Sequence, residues 1–248
     1  MKLIATFLLV FLAAAAIAQP KDTRFFELRI YYAASGKLDA LISRFANNTT
    51  RIFEKHGMQN IGYWVPTNNT SNTLYYILAF PSKQARDESW KNFGSDPEWK
   101  KVAGESEKNG KLVDSVKSVF MTATDVLPYT IDKAPAGNDR VFELRTYYCF
   151  PGRFPNIVKR FHDHTTKLFE KHGIENIFYF SSDKKDNTEP FLVYMIANKN
   201  EAEHKKEWDE FRTDPEWIKV KDDSEKDGKI VEKVESVFLK PLPFSKIK

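Results

Sequence analysis

The chain carries one pattern twice. Phe26-Glu27-Leu28-Arg29 followed by Tyr31-Tyr32 returns as Phe142-Glu143-Leu144-Arg145 followed by Tyr147-Tyr148, 116 residues later. Phe53-Glu54-Lys55-His56-Gly57 returns as Phe169-Glu170-Lys171-His172-Gly173 at the same spacing. Asp96-Pro97-Glu98-Trp99 returns as Asp214-Pro215-Glu216-Trp217 at a spacing of 118, so two residues were gained in a loop between Trp64 and Leu74. A unit of roughly 100 residues is far longer than a solenoid repeat and has the size of a small domain.

Each copy reads strand, helix, strand, strand, helix, strand. Phe25 to Tyr32 alternates with period two: Phe26, Leu28, Ile30 and Tyr32 on one face, Phe25, Glu27, Arg29 and Tyr31 on the other. After Gly36, the residues Leu38, Leu41, Ile42, Phe45, Ile52 and Phe53 recur at helical spacing up to Gly57, a residue suited to ending a helix. Strands are predicted at residues 60–65, 74–80 and 113–121. A helix is predicted from Ser82 to about Phe93, and a second helix start at Ser95-Asp96-Pro97-Glu98. This βαββαβ order is the ferredoxin-like split unit, a four-stranded sheet with both helices on one face. The bare face needs a partner, and the second copy supplies it. The predicted fold is α+β: two tandem ferredoxin-like units closing one intramolecular barrel with the helices outside.

The ends divide the rest. Residues 1–18 read as a signal peptide: Lys2, an apolar run, and Ala16-Ile17-Ala18 before Gln19. The first unit is then 19–127, the linker 128–139 and the second unit 140–248. Removing Lys2 takes the net charge from +4 to +3, with acids and bases interspersed, which argues against a nucleic-acid surface. The expected protein is exported, periplasmic or secreted, with no membrane association after cleavage; a homo-oligomer is left open. Cys149 is the single cysteine, so the fold is held by its core without an internal disulfide. Its counterpart is Ala33, which favours a small buried apolar role over a nucleophile.

F-E-L-R-x-Y-Y, a Gly, a helix ending in His-Gly, a strand and then D-P-E-W resembles the NIPSNAP family, over both copies. The resemblance implies the dimeric α/β-barrel superfamily. It implies no agreed activity, and the mitochondrial and vesicle-traffic roles of some eukaryotic members do not carry over to a chain with a signal sequence. Where that family usually has Arg, the first copy has Arg86 but the second has His204; Cys149-Phe150-Pro151-Gly152 is closer to the family's Pro-Gly than Ala33-Ala34-Ser35-Gly36.

The ligand-binding candidates begin with Glu27, Arg29 and Tyr31 and their counterparts Glu143, Arg145 and Tyr147. A carboxylate and a guanidinium two residues apart on one strand face can pair directly. With the apolar face expected against the helices, these triplets are expected to point into the barrel, as a Glu–Arg lattice joining the two sheets or as a polar cavity anchored by Arg29 or Arg145. His56 and His172 face the sheet at helix ends and read as histidines bonded to a backbone carbonyl, or as a general base. His162 and His164 lie on opposite rims of a helical stripe, so no metal is expected; His164 is kept as a candidate for a pocket between helix and sheet. Trp90, Trp99, Trp208 and Trp217 read as core. No cofactor is signalled: there is no nucleotide-binding glycine pattern, nucleophile elbow or Cys/His metal spacing.

Three functions stay open. The first is small-molecule binding in or beside the barrel. The second is a cofactor-independent or haem-linked oxidoreductase or isomerase. The third is a structural or interaction protein with a filled barrel. A void holding Arg29 or Arg145 beside His56 or His172 would favour the first two, and a filled interior with Glu–Arg pairs the third.

Overall fold

A computed structural model describes residues 22–127, 130–133, 140–183 and 189–248. The signal-like segment and most of the linker lie outside these residues. Of the linker, Ile131–Lys133 forms one 3₁₀ turn, and Ile131 is buried in the barrel core.

The first copy forms β1 (Phe25–Ala33), α1 (Leu38–Arg44), α2 (Thr50–Lys55), β2 (Gln59–Pro66), β3 (Thr73–Phe80), α3 (Lys83–Ser95), α4 (Pro97–Ser106) and β4 (Val113–Ala123). The second repeats it as β5 (Val141–Cys149), α5 (Phe154–Arg160), α6 (Thr166–Lys171), β6 (Glu175–Ser182), β7 (Leu192–Asn198), α7 (Glu201–Thr213), α8 (Pro215–Ser224) and β8 (Val231–Pro241). The predicted order holds in both, and in the first copy the predicted strand ends fall within two residues of those observed. One detail was not foreseen. The first helix of each copy passes through a π-turn, at Phe45–Thr49 and Phe161–Thr165. The adjacent threonines explain where it falls. Thr49 and Thr50 donate to the carbonyls of Arg44 and Phe45, and Thr165 and Thr166 to those of Arg160 and Phe161, each five residues back at 3.1–3.2 Å. Gly57 and Gly173 end these helices with φ of 74° and 82°, a backbone that other residues adopt only under strain.

The eight strands close an antiparallel barrel in the order β1-β3-β2-β8-β5-β7-β6-β4. Within a copy the ladders are long; β1 and β4 stay in register from Phe25↔Thr122 to Tyr32↔Ser115. Between copies they are short: Trp64↔Pro241 to Pro66↔Leu239 on one side and Met121↔Ser182 to Ala123↔Phe180 on the other. Each seam gains one more bond past each end of its ladder: Leu242 N–H to Tyr63 O at 2.9 Å and Thr67 N–H to Phe238 O at 3.0 Å on one side, Thr124 N–H to Tyr179 O at 3.0 Å and Asp183 N–H to Phe120 O at 2.7 Å on the other. The two seams are therefore equivalent under exchange of the copies. Beyond them, β4 and β8 diverge from β6 and β2, and the barrel stands open at that end.

The side of the sheet that faces inward is opposite to the expectation. Phe26, Leu28 and Ile30 point into the barrel, where they meet Trp64, Phe142, Leu144, Phe178 and Phe180. Separate cores lie between each sheet half and its helices, around Phe45, Phe53 and Tyr76 in the first copy and Phe161, Phe169 and Tyr194 in the second. Burying each large apolar side chain of the barrel core contributes roughly 1.5–3 kcal/mol, which offsets the shortness of the seams.

Candidate functional site

Because the apolar face of β1 turns inward, Glu27, Arg29 and Tyr31 turn outward to the helices. The reason is charge compensation. The barrel interior is walled by strands alone, whereas α3 brings a cation and an indole donor to the outer face. Arg86 donates Nε and Nη2 to the two Glu27 oxygens at 2.8 and 2.9 Å, Trp90 donates its indole N–H at 2.8 Å, and Arg29 donates at 2.7 Å. A carboxylate with no exposed surface is thus held by four charged or polar donors. Burial would push its pKa up; the Arg86 hydrogen bonds and the Arg29 charge outweigh this and hold it below the ordinary carboxylate value. The Arg29 guanidinium lies 4.3 Å from the centre of the Trp90 ring. The Glu–Arg pairs do form, but each stays within its own copy and ties sheet to helix instead of joining the two sheets.

The second copy keeps the plan with a different cation. His204 Nε2 lies 2.8 Å from Glu143 Oε2, and Arg145 and Ser236 donate to the other oxygen. Tyr147, like Tyr31, receives a long bond from its arginine, at 3.3 Å. Burial would again raise the Glu143 carboxyl, and the His204 bond with the Arg145 charge holds it below its ordinary value. Arg145, Tyr147, His204, Trp208, Trp217 and Phe238 line an open cleft of about 720 Å³ between α7, α8 and the sheet. Two of the four matched tryptophans thus edge a cleft, where all four were expected to be core.

The barrel interior itself is not filled throughout. Around Trp64, Phe26 and Phe142 it is solid, but toward the open end a cavity of about 500 Å³ remains. Its walls are Leu28, Ile30, Val119, Leu144, Val193 and Val237. Its rim carries Tyr32, Tyr75, Lys117, Tyr148 and Glu235. Glu235 accepts from the Tyr148 hydroxyl at 3.1 Å and from Lys233 Nζ at 2.5 Å. Burial and the Glu235 carboxylate push the Tyr148 phenol up to about 12. Lys233 and Tyr148 hold the Glu235 carboxyl below its usual value. Tyr32 and Tyr148 belong to the repeated motif, but none of these rim residues was read from the sequence as a binding candidate. One signal was present: Lys117 and Glu235 hold equivalent places, beside Ile30 and Thr146 in the ladders, with opposite charge.

The other candidates lie elsewhere. His56 and His172 bond to carboxylates, not backbone carbonyls: Nε2 is 2.6 Å from Asp96 and 2.8 Å from Asp214, the residues that cap α4 and α8. They stand in neither cavity, so the pairing of Arg29 or Arg145 with these histidines does not occur. His164 is exposed on its helix and lines no pocket described here. His162 is also exposed and sits 2.7 Å from Asp163. Among the described residues, no three His, Cys, Asp or Glu side chains gather as a metal site would require. Cys149 is buried, and burial pushes its thiol up to about 11, which suits an inert packing role.

The profile of the NIPSNAP family matches residues 26–128 and again 142–246. The chain belongs to the NIPSNAP family. It holds two NIPSNAP domains in tandem, and one barrel is built from the pair. A NIPSNAP family protein of unknown function from Agrobacterium tumefaciens is 21% identical over 46% of this chain and 100% of its own, with a TM-score of 0.39. Over the whole barrel, the chain is similar to a candidate monooxygenase from Lactobacillus acidophilus, 14% identical, covering 89% of this chain and 94% of that one, with a TM-score of 0.54. A second candidate monooxygenase, from Fusobacterium nucleatum, is 11% identical and covers 92% of this chain and 99% of that one, with a TM-score of 0.58. At these identities the similarity is one of fold. No curated protein matches the chain. If a NIPSNAP barrel of this kind held haem, it would need an uncommitted axial ligand. The imidazole on a cavity wall is His204, whose Nε2 is already bonded to Glu143. These two cavities therefore offer haem iron no free imidazole.

Proposed function

We propose that this tandem NIPSNAP protein binds an elongated apolar molecule with one polar end inside its barrel. The observation that carries the reading is the cavity inside the barrel. A space of about 500 Å³ with aliphatic walls and a rim of phenols, Lys117 and Glu235 has the size and chemistry of a small-molecule pocket. A barrel that served only as a scaffold would gain stability by filling that space with larger side chains, as its other end does. The short seams add a route in, since β4 and β8 part from their neighbours beside the cavity. The signal-like first 18 residues support binding outside the cytoplasm. The oxidoreductase alternative rests on the likeness to candidate monooxygenases, which is a likeness of fold.

The test uses the neutral apolar dye N-phenyl-1-naphthylamine and the variant Val237→Trp, which places an indole in the cavity. Wild type should enhance the dye's fluorescence saturably. V237W should weaken that binding at least tenfold with an unchanged circular dichroism spectrum. Equal binding by a folded V237W overturns the reading. So does a wild type that neither binds the dye nor carries a co-purifying molecule in native mass spectrometry.

A further inference from the structure

The two halves of one chain serve as each other's control, and they differ at one contact. In the first copy the carboxylate Glu27 satisfies Arg86, Arg29 and the Trp90 indole together. In the second copy, the shorter His204 sits where Arg86 would be and takes Glu143 Oε2, the oxygen matching the one Trp90 uses. Arg145 and Ser236 take the other oxygen. The Trp208 indole N–H, on a residue only 8% exposed, is left with no acceptor, which is the difference from Trp90; Arg145 Nε also lacks one, a feature it shares with Arg29 Nε in the first copy. A buried donor without a partner costs roughly 1–3 kcal/mol, so its persistence asks for an explanation. Trp208 and Arg145 both line the 720 Å³ cleft.

The space has the same origin. In the first copy the Arg86 guanidinium covers the Phe120 ring at 4.8 Å. In the second, the imidazole of His204 stands edge-on to Phe238, the equivalent ring, at 4.7 Å and reaches less far. The cleft so formed has aromatic walls at Trp208, Trp217 and Phe238, and its rim mixes cations with the carboxylates Glu201 and Asp222; Lys205 and Arg212 are both engaged with Asp209.

We infer that the second copy alone carries a binding site for a planar aromatic carboxylate. One ligand oxygen accepts from the Trp208 indole N–H and from Arg145, and the ring lies against the aromatic walls. This site is separate from the barrel cavity and does not depend on it.

The experiment is titration calorimetry of the full protein with 2-naphthoate. Wild type and the cavity-filled V237W should bind one equivalent with the same affinity. His204→Arg restores the first-copy arrangement and should weaken binding more than tenfold while the protein stays folded. Trp208→Phe keeps the ring but removes the N–H, and should weaken it about tenfold, the worth of one hydrogen bond. The methyl ester should bind more than tenfold less tightly than the acid. Unchanged affinity in both folded variants overturns the proposal. So does equal binding of acid and ester, or loss of binding in V237W alone, which would place the ligand in the barrel. Should H204R fail to fold, W208F and the ester decide.

Discussion

The indole of Trp64 lies directly over Gly62: a β-carbon on Gly62 would stand 2.1 Å from Cη2. Both residues face the barrel interior, and Trp64 has no exposed surface. The second copy solves the same space differently, with Phe178 at the glycine's place stacked on Phe180 at the tryptophan's, 4.7 Å between ring centres. One large and one absent side chain are exchanged for two of middle size, which conserves volume where interiors are close-packed. Gly62→Ala should therefore destabilise the protein by about 1–3 kcal/mol, the usual cost of overpacking, measured by urea denaturation. Adding Trp64→Phe should recover most of the loss. A G62A variant as stable as wild type would show that the ring has room to move.

A charged counterpart lies on the other face of the sheet. Glu27 is buried between two guanidiniums and an indole. Glu27→Gln keeps the shape but leaves Arg29 and Arg86 without their counter-charge, and breaking one side of a buried ion pair is costly because the other side stays buried. The expected loss is about 3 kcal/mol in denaturant unfolding. Glu143→Gln should cost less, since its partners are one guanidinium, a histidine and the Ser236 hydroxyl.

That network also marks what could be read from the sequence and what could not. The period-two alternation of Phe26-Glu27-Leu28-Arg29 identifies two faces of the strand with certainty. It says nothing of which face meets the helices, because a strand's pattern is unchanged when both sides are exchanged. The deciding information lay on another element. Arg86 and Trp90 stand one helical turn apart on α3, and His204 and Trp208 likewise on α7, each able to meet a carboxylate. The repeat, the strand order, the Ser82 and Asp96 caps and the barrel were legible because each depends on local chemistry or on two copies needing one another. The cavity was not. It comes from short seams and from side chains such as Ile30 and Val119 that stop short of meeting, and such gaps leave no pattern along a chain.

The helix caps give a pH dependence. Asp96 accepts the Glu98 N–H at 2.7 Å, pairs with Lys55 at 2.8 Å and meets His56 at 2.6 Å. Asp214 does the same with Glu216, Lys171 and His172. The lysine bonds, with the histidines, hold both carboxyls well below the ordinary carboxylate value. A depressed folded-state pKa means that the stabilisation is fully present above the unfolded value, about 3.9, and is lost as pH falls toward the folded one. The double variant Asp96→Asn, Asp214→Asn keeps a capping acceptor but not the charge. Its urea midpoint should lie below that of wild type at pH 6, and the gap should narrow as pH falls from about 4 to 2. A gap that stays constant through that window would assign the carboxylates a purely geometric role.

The seams make one more prediction, about half the molecule. The face of β5, β6 and β7 that carries Phe142, Leu144, Phe178, Phe180 and Met195 is covered by the first copy and by Ile131 of the linker. An isolated second copy would present this apolar surface to water, a large exposed patch for a domain of its size. The seam geometry offers a remedy. β2 pairs with β8, and β4 pairs with β6, through equivalent short ladders. In two copies of residues 140–248 the same edges are available, so that β8 of each can pair with β6 of the other under a two-fold axis. The fragment should therefore sediment as a dimer and dissociate only with loss of structure. A stable folded monomer would mean that the barrel core contributes little to either half, and that the tandem arrangement is not what holds the sheets together.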